Sequence, residues 1–172
     1  SGAVDDEAGI SLFLVPSDAK GLTIQGYALL AGGRAAEVML DNVQLTAADR
    51  LGEAGNAFAA IEARRAAASV AQCAETLGAM EPATELTRDY LGTRKQFGRP
   101  IGTFQALAHR FSDLLIEMEQ ARSAVINAAG HLEEDRKLRE INVSATKNLM
   151  GRAGRLVAEE SIQMHGGIAM TQ

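Results

Sequence analysis

The chain has 172 residues, of which 47% are apolar and 4% aromatic, and its formal net charge is -5 at pH 7. The apolar share is enough to bury a core, which excludes a disordered chain, and the negative charge argues against nucleic acid as the main partner. A lone cysteine excludes an internal disulfide, no apolar run approaches the about 18 residues of a membrane span, and no signal-peptide pattern opens the chain. We therefore expect a soluble cytoplasmic protein.

Short apolar segments separated by turn residues occupy the first fifty residues. They have the length and composition of β-strands, and the pairs Gly32-Gly33 and Asp41-Asn42 mark turns. Three short strands make a poor sheet by themselves, because their edges need partners. We predict that residues 1–53 are the C-terminal part of a larger β domain, with strands within 9–16, 22–30 and 35–45.

From Asn56 onward the pattern is helical. The stretch 57–80 is rich in alanine, and Asn56 is a predicted N-cap for this first helix. Pro82 has no N–H to donate to the carbonyl of Gly78, so we predict a kink or a break there. The helix is expected to resume and to reach Arg94.

Two further helices are predicted after residue 103. The second opens at Thr103 as its cap and carries apolar residues at steps of three and four: Leu107, Phe111, Leu114, Met118, Ala121, Val125, Ala128 and Leu132. The third runs from about residue 138 towards 166, with a predicted buried face of Ile141, Ala145, Leu149, Ala153 and Leu156. Residues 54–172 are thus predicted to form a mainly α domain, an antiparallel bundle of the four-helix type whose last helix is missing.

The stretch RKQFGRPIGTFQALAHR at 94–110 is unusual for a connection between two helices. Arg94 offers a planar charge suited to bidentate contacts with phosphate, and Gln96 and Gln105 add neutral hydrogen bonds. Phe97 supplies a flat apolar wall, and Gly98 lets the backbone approach a ligand. The set suits a nucleotide-like anion, although chemistry alone favours an ordinary capped loop with an exposed arginine.

A second cluster, QMHGG at 163–167, has a similar composition. Glycine is the usual residue just after a helix C-terminus, so a simple helix cap is the plainer explanation of this cluster by itself. His165 lies beside the glycines and is compatible with a ligand contact, but a helix C-terminus favours a histidine in any case.

The two clusters together, about 70 residues apart, resemble the C-terminal half of the flavin-dependent acyl-CoA dehydrogenase family. The preceding AETLG at 74–78 and Tyr90 are similar to that family's pattern, and so are GISLFLVPSDAKGL and AAEVMLDNVQL, which resemble the end of its middle β domain. Within the family, TRKQFGRPIGTFQALAHR resembles bacterial members of the pimeloyl-CoA dehydrogenase-like subgroup, or members that act on other acyl-CoA substrates.

The resemblance implies an oligomeric flavoprotein, a dimer or tetramer, whose bundle contacts FAD held mainly by a neighbouring subunit. It implies that Arg94 pairs with the FAD pyrophosphate, that Gln96 and Phe97 contact the same half of the cofactor, and that Gln105 adds a hydrogen bond. Gln163, with the backbone of Gly166 and Gly167, closes the other side. The implied reaction of the full-length protein is the oxidation of acyl-CoA to trans-2-enoyl-CoA, with electron-transfer flavoprotein or another acceptor as partner. Residues 1–172 alone are expected to be inactive.

The catalytic residue is unknown from this sequence. The resemblance implies a glutamate about two dozen residues beyond the Gly-Gly pair in most members, and in a minority a glutamate at the position of Ala68. Glu62 and Glu75 are poor substitutes, because one lies off that helix face and the other roughly 10 Å along the axis.

Three further positions depart from the family pattern. Ala66 and Ser69 stand where relatives often carry residues that meet CoA, and Ala169 replaces the third glycine of G-G-x-G. These departures make acyl-CoA binding a weaker expectation than FAD binding.

The remaining chemistry-bearing residues suggest structural roles. Cys73 and the methionines fit a packed core, and His109 and His131 are too far apart, with no further ligands, for a metal site. A second hypothesis is a non-catalytic family subunit that gives FAD contacts and an oligomer interface, in a homo- or hetero-oligomer, to an active partner. A third, a purely structural helical domain, is disfavoured by the paired clusters.

Overall fold

The computed structural model describes residues 3, 6–30 and 32–171. The chain divides into two compact units, Ser1–Glu62 and Ala63–Gln172. The predicted domain boundary between residues 53 and 54 stays a prediction. Within the described ranges, no helix combines the length and apolar character that crossing a membrane requires.

The first unit is built from short antiparallel strand pairs. Residues Leu22–Ala28 pair with Arg34–Leu40 along their whole length, and Leu12–Phe13 pair with Arg50–Leu51. In chain order the four strands are β1 (Leu12–Phe13), β2 (Leu22–Ala28), β3 (Arg34–Leu40) and β4 (Arg50–Leu51). The three predicted strand segments are therefore present, but the first has only two residues in a strand, and the third ends at Leu40 because Asn42 turns the chain with a φ of 53°.

The second unit is a helical bundle, which confirms the predicted mainly α fold. Its helices are α1 (Phe58–Thr93), α2 (Gln105–Gly130) and α3 (Arg136–His165). Arg65, near the start of α1, forms an ion pair with Glu140, near the start of α3, at 2.7 Å. The ends of α1 and α3 also meet, so these two helices run parallel and α2 runs antiparallel to both.

The bundle core is apolar and continuous along most of its length. Leu114, Ala121 and Ala153 have no exposed surface, and the predicted stripe of α2 is buried or half-buried throughout. The core divides into a large cluster towards the end of α1 and a small one near its start, which contains Ala66, Val70, Ala128 and Val143. Burial of this stripe is what holds α2 between its neighbours.

Both predicted N-caps at helix starts are wrong. Asn56 forms an isolated β-bridge with Ile10. Helix α1 begins at Phe58, and the carbonyl of Ala57 accepts the first helical hydrogen bond from the N–H of Ile61 at 3.1 Å. Thr103 ends a short 3₁₀ helix, Ile101–Thr103, where its hydroxyl donates to the carbonyl of Pro100 at 2.7 Å. In both cases a neighbouring element already engages the residue, so the helix starts later.

Pro82 does not break α1, so the predicted break is wrong, while the alternative of a kink stays a prediction. The helix is continuous from Phe58 to Thr93 with Pro82 inside it. Pro82 and Gly78 both lie on the exposed side, where water can satisfy the carbonyl that lacks a donor. On the opposite side, Leu77 and Met80 before the proline and Leu91 after it pack into the same core cluster. That shared packing offsets the cost of the proline.

The predicted buried face of α3 is right at Ala153, which is fully buried, but wrong in the first turns of the helix. Ile141 is 56% exposed and Ala145 is exposed, whereas Val143, Thr146 and Met150 are buried. A step of one residue turns a helix by about 100°. The helix carries apolar side chains on more than one face, so periodicity alone did not select the face that α1 and α2 cover.

Candidate functional site

A tight β-hairpin follows α1 and contains the first cluster of predicted site residues. Strands β5 (Lys95–Gln96) and β6 (Arg99–Pro100) are joined by Phe97 and Gly98, whose φ angles are 53° and 79°. Two successive positive φ angles characterise a type I′ turn, in which Asn-Gly is the favoured pair. A phenylalanine there is conformationally costly. Phe97 is nevertheless 93% exposed, so core packing does not explain the choice.

Arg94 lies between α1 and the hairpin with its backbone fixed and its side chain exposed. Its N–H donates to the carbonyl of Tyr90 at 2.8 Å, and its carbonyl accepts from Ile101 at 2.8 Å. Among the described residues, its guanidinium makes neither a side-chain hydrogen bond nor an ion pair. By contrast, Arg110 donates two hydrogen bonds to Glu160, at 2.7 and 2.8 Å. The Arg94 guanidinium is therefore anchored at its base and available to an anion.

Three contacts hold the hairpin against the helices around it. The Arg99 guanidinium lies over the Phe104 ring at 4.2 Å from its centroid, and the Phe97 ring meets the same ring edge-on at 6.0 Å. Gly102 passes so close to α1 that a Cβ there would lie 3.0 Å from the carbonyl oxygen of Leu91. Sequence analysis assigned no role to Gly102 or to the Arg99–Phe104 contact. The R-P-I-G-x-F spacing is the only signal that could have suggested them.

The amides of the first cluster are exposed beside Arg94. Gln96 lies in β5, where its side chain donates to the carbonyl of Lys95 at 2.7 Å, and Gln105 is the first residue of α2. Neither amide is buried or held by a distant element. Both remain able to turn towards a ligand on this side of the hairpin.

The second cluster lies at the end of α3. Gln163 is exposed on the last turn, and Gly166 closes the helix with φ 64° and ψ -146°, a conformation that glycine alone adopts readily. Gly167 follows in a 3₁₀ helix, Gly166–Met170. Apart from its two chain neighbours, no atom of the described residues lies within 4 Å of the position that a Gly167 Cβ would take. The chain's own packing thus gives no reason for a glycine at 167, whereas a ligand approaching the backbone would.

An aromatic stack brings the two clusters to one end of the bundle. The rings of Tyr90 and His165 lie with their centroids 4.4 Å apart and their planes at 24°. Arg94 follows Tyr90 by one helical turn, and Gly166 follows His165 directly. His165 Nδ1 also lies 2.8 Å from the carbonyl oxygen of Ser161. The ring stack and this hydrogen bond give the His165 side chain a structural role. Sequence analysis missed the pairing, since Tyr90 and His165 are 75 positions apart (165 minus 90).

The structure places Ala66, one of the two positions at which relatives often meet CoA, inside the core. Ala66 is 1% exposed and packs in the small core cluster, so a charged side chain there would enter the core and meet no ligand. Ala68 is exposed and Ser69 is half-buried. Glu62 is buried at 7% exposure, and Glu75 is exposed. The absence of a charge at Ala66 therefore carries no information about CoA.

The remaining residues singled out in the sequence are a buried cysteine and two histidines at different ends of α2. Cys73 is buried in the core, as predicted, and burial raises the pKa of its thiol. His109 is exposed on α2, and His131 lies at the far end of α2 with its Nδ1 2.7 Å from the carbonyl of Asn127. Within residues 3, 6–30 and 32–171, no three His, Cys, Asp or Glu side chains gather in a metal-binding arrangement.

Comparison with known proteins identifies the class to which this fold and site belong. Residues 55–172 match the family model "Acyl-CoA dehydrogenase, C-terminal domain". The chain therefore belongs to the acyl-CoA dehydrogenase family. Whether it falls into the pimeloyl-CoA dehydrogenase-like subgroup stays a prediction.

Particular relatives support the same assignment. The chain is 40% identical over 104 residues to acyl-CoA dehydrogenase IpdE2 of Mycobacterium tuberculosis, a match that covers 60% of this chain and 31% of that protein. It is 34% identical over 168 residues to a probable short/branched chain specific acyl-CoA dehydrogenase of Dictyostelium discoideum, covering 95% of this chain and 40% of that protein. Among solved structures, the ChsE4-ChsE5 complex of Mycobacterium tuberculosis superposes with a TM-score of 0.76 at 28% identity, covering 93% of this chain and 42% of that one. The chain thus spans less than half the length of each.

Proposed function

We propose that the full-length protein is an FAD-dependent acyl-CoA dehydrogenase in which this bundle contacts FAD held mainly by a neighbouring subunit. The observation that carries the proposal is the Arg94 guanidinium, exposed and without a side-chain partner among the described residues, on the same hairpin as a 93% exposed Phe97. Members of the family are flavoproteins. An exposed arginine beside an exposed aromatic ring offers a charge and a flat apolar surface together.

The residues present fit the pyrophosphate half of such a cofactor. In the proposal, the planar guanidinium of Arg94 donates two parallel hydrogen bonds to phosphate oxygens. Gln96 and Gln105 donate neutral hydrogen bonds, and Phe97 covers an apolar part of the cofactor. The strained φ of Phe97 supports this role, because strain in an exposed residue is retained where binding requires the geometry.

The end of α3 completes the proposed contact from the other side. Gln163 donates a side-chain hydrogen bond, and the backbone at Gly166 and Gly167 accommodates a close approach because no side chain stands there. The open space around both glycines supports this placement. Binding by both clusters would bridge two chains, so cofactor and oligomer, a dimer or tetramer, stabilise one another by mass action.

The proposed reaction is the oxidation of acyl-CoA to trans-2-enoyl-CoA. When bound, FAD supplies the acceptor for the hydride that leaves the acyl β-carbon. This chain's own residues bind and orient that cofactor; Ala68, the α1 position of the base in a minority of relatives, has no group that takes a proton. The proposed electron acceptor is electron-transfer flavoprotein or another redox partner.

A second candidate is a non-catalytic subunit that supplies FAD contacts and an oligomer interface to an active partner. Ala68 and Ser69 favour it, because neither can serve as a base or offer a positive charge to CoA. The structural likeness to a complex of two named chains, ChsE4 and ChsE5, supports the idea that family members assemble in unlike pairs. Turnover by the purified full-length protein, without a second subunit, decides between the two candidates.

The test of the cofactor assignment is Arg94→Ala in the full-length protein. Loss of a bidentate charged contact costs about 2 to 4 kcal/mol, which lowers FAD affinity about 30- to 1000-fold. Arg94→Lys restores only part, because an ammonium lacks the planar fork. FAD dissociation constants and oligomer size are the measurements.

The matched control is Arg155→Ala, which removes the same charge from α3, where the arginine is exposed and pairs with Glu159 at 2.7 Å. This control keeps full FAD occupancy. Full occupancy and an unchanged oligomer in Arg94→Ala would refute the assignment of this hairpin to the cofactor.

A further inference from the structure

The two proposed cofactor-binding clusters are carried by different helices, and an aromatic contact joins those helices near their ends. That contact is the stack of the Tyr90 and His165 rings, with a centroid separation of 4.4 Å and an interplanar angle of 24°. Both residues are half-buried. The stack lies beside the apolar core, since Leu91 and Met164, their immediate chain neighbours, belong to the large core cluster.

Each ring is tied closely to one cluster. On α1, the carbonyl of Tyr90 accepts the Arg94 N–H at 2.8 Å, and the Arg94 carbonyl in turn accepts the Ile101 N–H at 2.8 Å, which closes the hairpin. On α3, His165 immediately precedes Gly166, whose N–H donates to the carbonyls of Ile162 and Gln163. Movement of either ring therefore moves a cofactor-binding segment with it.

The orientation of the His165 ring is also determined by its own helix. Nδ1 lies 2.8 Å from the Ser161 carbonyl oxygen, and a carbonyl only accepts, so Nδ1 carries a proton and the ring is held along α3. An aliphatic pair could fill the same space, but it would have no preferred angle. Stacked rings prefer a defined offset and angle, so they set the rotation of one helix end relative to the other.

We propose that Tyr90 and His165 are a positioning pair that sets the spacing between the Arg94 hairpin and the Gly166–Gly167 backbone for cofactor binding. This inference rests on the proposed function, because it presumes that both clusters contact one FAD. Neither ring touches the cofactor in this proposal. Their effect is to pre-organise two segments that otherwise would have to be brought into register at the cost of binding energy.

The experiment compares ring-keeping and ring-removing variants in the full-length protein. Tyr90→Phe keeps two stacked rings and retains FAD affinity within about twofold, whereas Tyr90→Leu and His165→Leu weaken it about 3- to 10-fold. His165→Phe keeps the stack but loses the hydrogen bond to Ser161, so its loss is smaller than that of His165→Leu and larger than that of Tyr90→Phe. The double variant Tyr90→Leu/His165→Leu loses no more than either single variant, because the same pair is broken in all three. FAD affinity is measured by the change in flavin fluorescence on binding.

A control separates positioning from general loss of stability. Leu132→Ala truncates a half-buried side chain that packs on the small core cluster. Leu132 lies just beyond the C-terminal end of α2, a helix of 26 residues and so about 39 Å long, whose other end follows the hairpin. It lowers the Tm of the apoprotein but leaves FAD affinity unchanged. If a leucine variant of one ring fails to fold, the leucine and phenylalanine variants of the other ring provide the same comparison.

The outcomes distinguish this inference from the proposed function. If Arg94→Ala weakens FAD binding and the leucine variants do not, or if their losses add in the double variant, the positioning pair is wrong and the proposed function stands. If Tyr90→Phe weakens binding as much as Tyr90→Leu, the hydroxyl matters and the stack does not. If Arg94→Ala has no effect, the proposed function itself fails.

Discussion

The two ends of the helical bundle satisfy their exposed groups in different ways. The hairpin end comprises residues 94–105 and 163–167, and the turn end is the α2–α3 connection, residues 131–135. At the turn end, Asp135 caps α3 by accepting hydrogen bonds from the N–H groups of Lys137 and Leu138. His131 Nδ1 meets the carbonyl of Asn127 at 2.7 Å. The side chains of Asp135 and His131 therefore find their partners within the chain.

The hairpin end keeps groups open and a turn strained. Arg94 has no side-chain partner among the described residues, and Phe97 is exposed at a positive φ. Such features lower the stability of the free protein, and they remain where a ligand later uses them. The difference teaches that a binding region can be recognised by polar side chains that have no partner and by strained residues that no core packing explains. It also predicts that substitutions at the two ends change stability and FAD affinity differently.

The largest expected effect on the free energy of unfolding is that of Gly102→Ala at the hairpin end. The new Cβ would lie 3.0 Å from the Leu91 carbonyl oxygen, and a backbone atom cannot move aside cheaply. We expect a loss of about 2 kcal/mol in the free energy of unfolding, as for an overpacked site, together with weaker FAD binding. Denaturant unfolding and FAD titration measure the two effects. Gly130→Ala, where a Cβ meets nothing within 4 Å, is the matched control and causes no loss.

Asp135→Ala tests the turn end. Removing the cap leaves the N–H groups of Lys137 and Leu138 without their side-chain acceptor, which costs about 1 kcal/mol of stability. FAD affinity of the full-length protein stays unchanged, because this end has no proposed contact with the cofactor. Thermal unfolding and FAD titration of the same preparation check both halves. Reduced FAD affinity here would remove the distinction between the two ends.

Phe97→Asn is expected to move stability and binding in opposite directions. Asparagine tolerates the positive φ, which relieves about 1 kcal/mol of strain, while the lost edge contact with Phe104 costs about 0.5 kcal/mol. The apoprotein thus gains about 0.5 kcal/mol, and FAD affinity falls. Denaturant unfolding of the apoprotein measures the gain, and a variant that loses stability while binding FAD normally contradicts a binding role for the ring.

The smallest expected effect concerns the ion pair of Arg110 and Glu160, which joins α2 to α3. The hydrogen bonds from Arg110 lower the pKa of the Glu160 carboxyl below its ordinary value of 4.5. A lowered folded pKa means that the pair's contribution is present above about pH 4.5 and is lost as the pH falls through the lower folded value. The partly exposed pair is worth at most about 0.5 kcal/mol. The stability difference between the wild type and Glu160→Gln should therefore shrink as the pH falls below about 4.5, and a constant difference from pH 7 to pH 3 contradicts this account.

Sequence patterns were sufficient to predict the helical fold, and they supplied the candidate site residues. The stripe of α2 predicted its buried face because its apolar residues occupy a single face at steps of three and four. The residue types of the two clusters pointed to a phosphate-like ligand, and their order along the chain resembled one family. These inferences depend on local chemistry and spacing, which the sequence states directly. The roles of Arg94, Gln96, Phe97, Gln105, Gln163, Gly166 and Gly167 remain proposals.

Only the tertiary structure decided features that depend on neighbours distant in the chain. Pro82 is tolerated because Leu77, Met80 and Leu91 pack into the same core, and the buried face of α3 is chosen by the helices that cover it. The stack of Tyr90 on His165 forms because α1 and α3 run parallel and their ends meet. Local periodicity cannot specify which of two apolar faces is covered, or which rings meet, since the free energy of burial is gained only when the helices pack together.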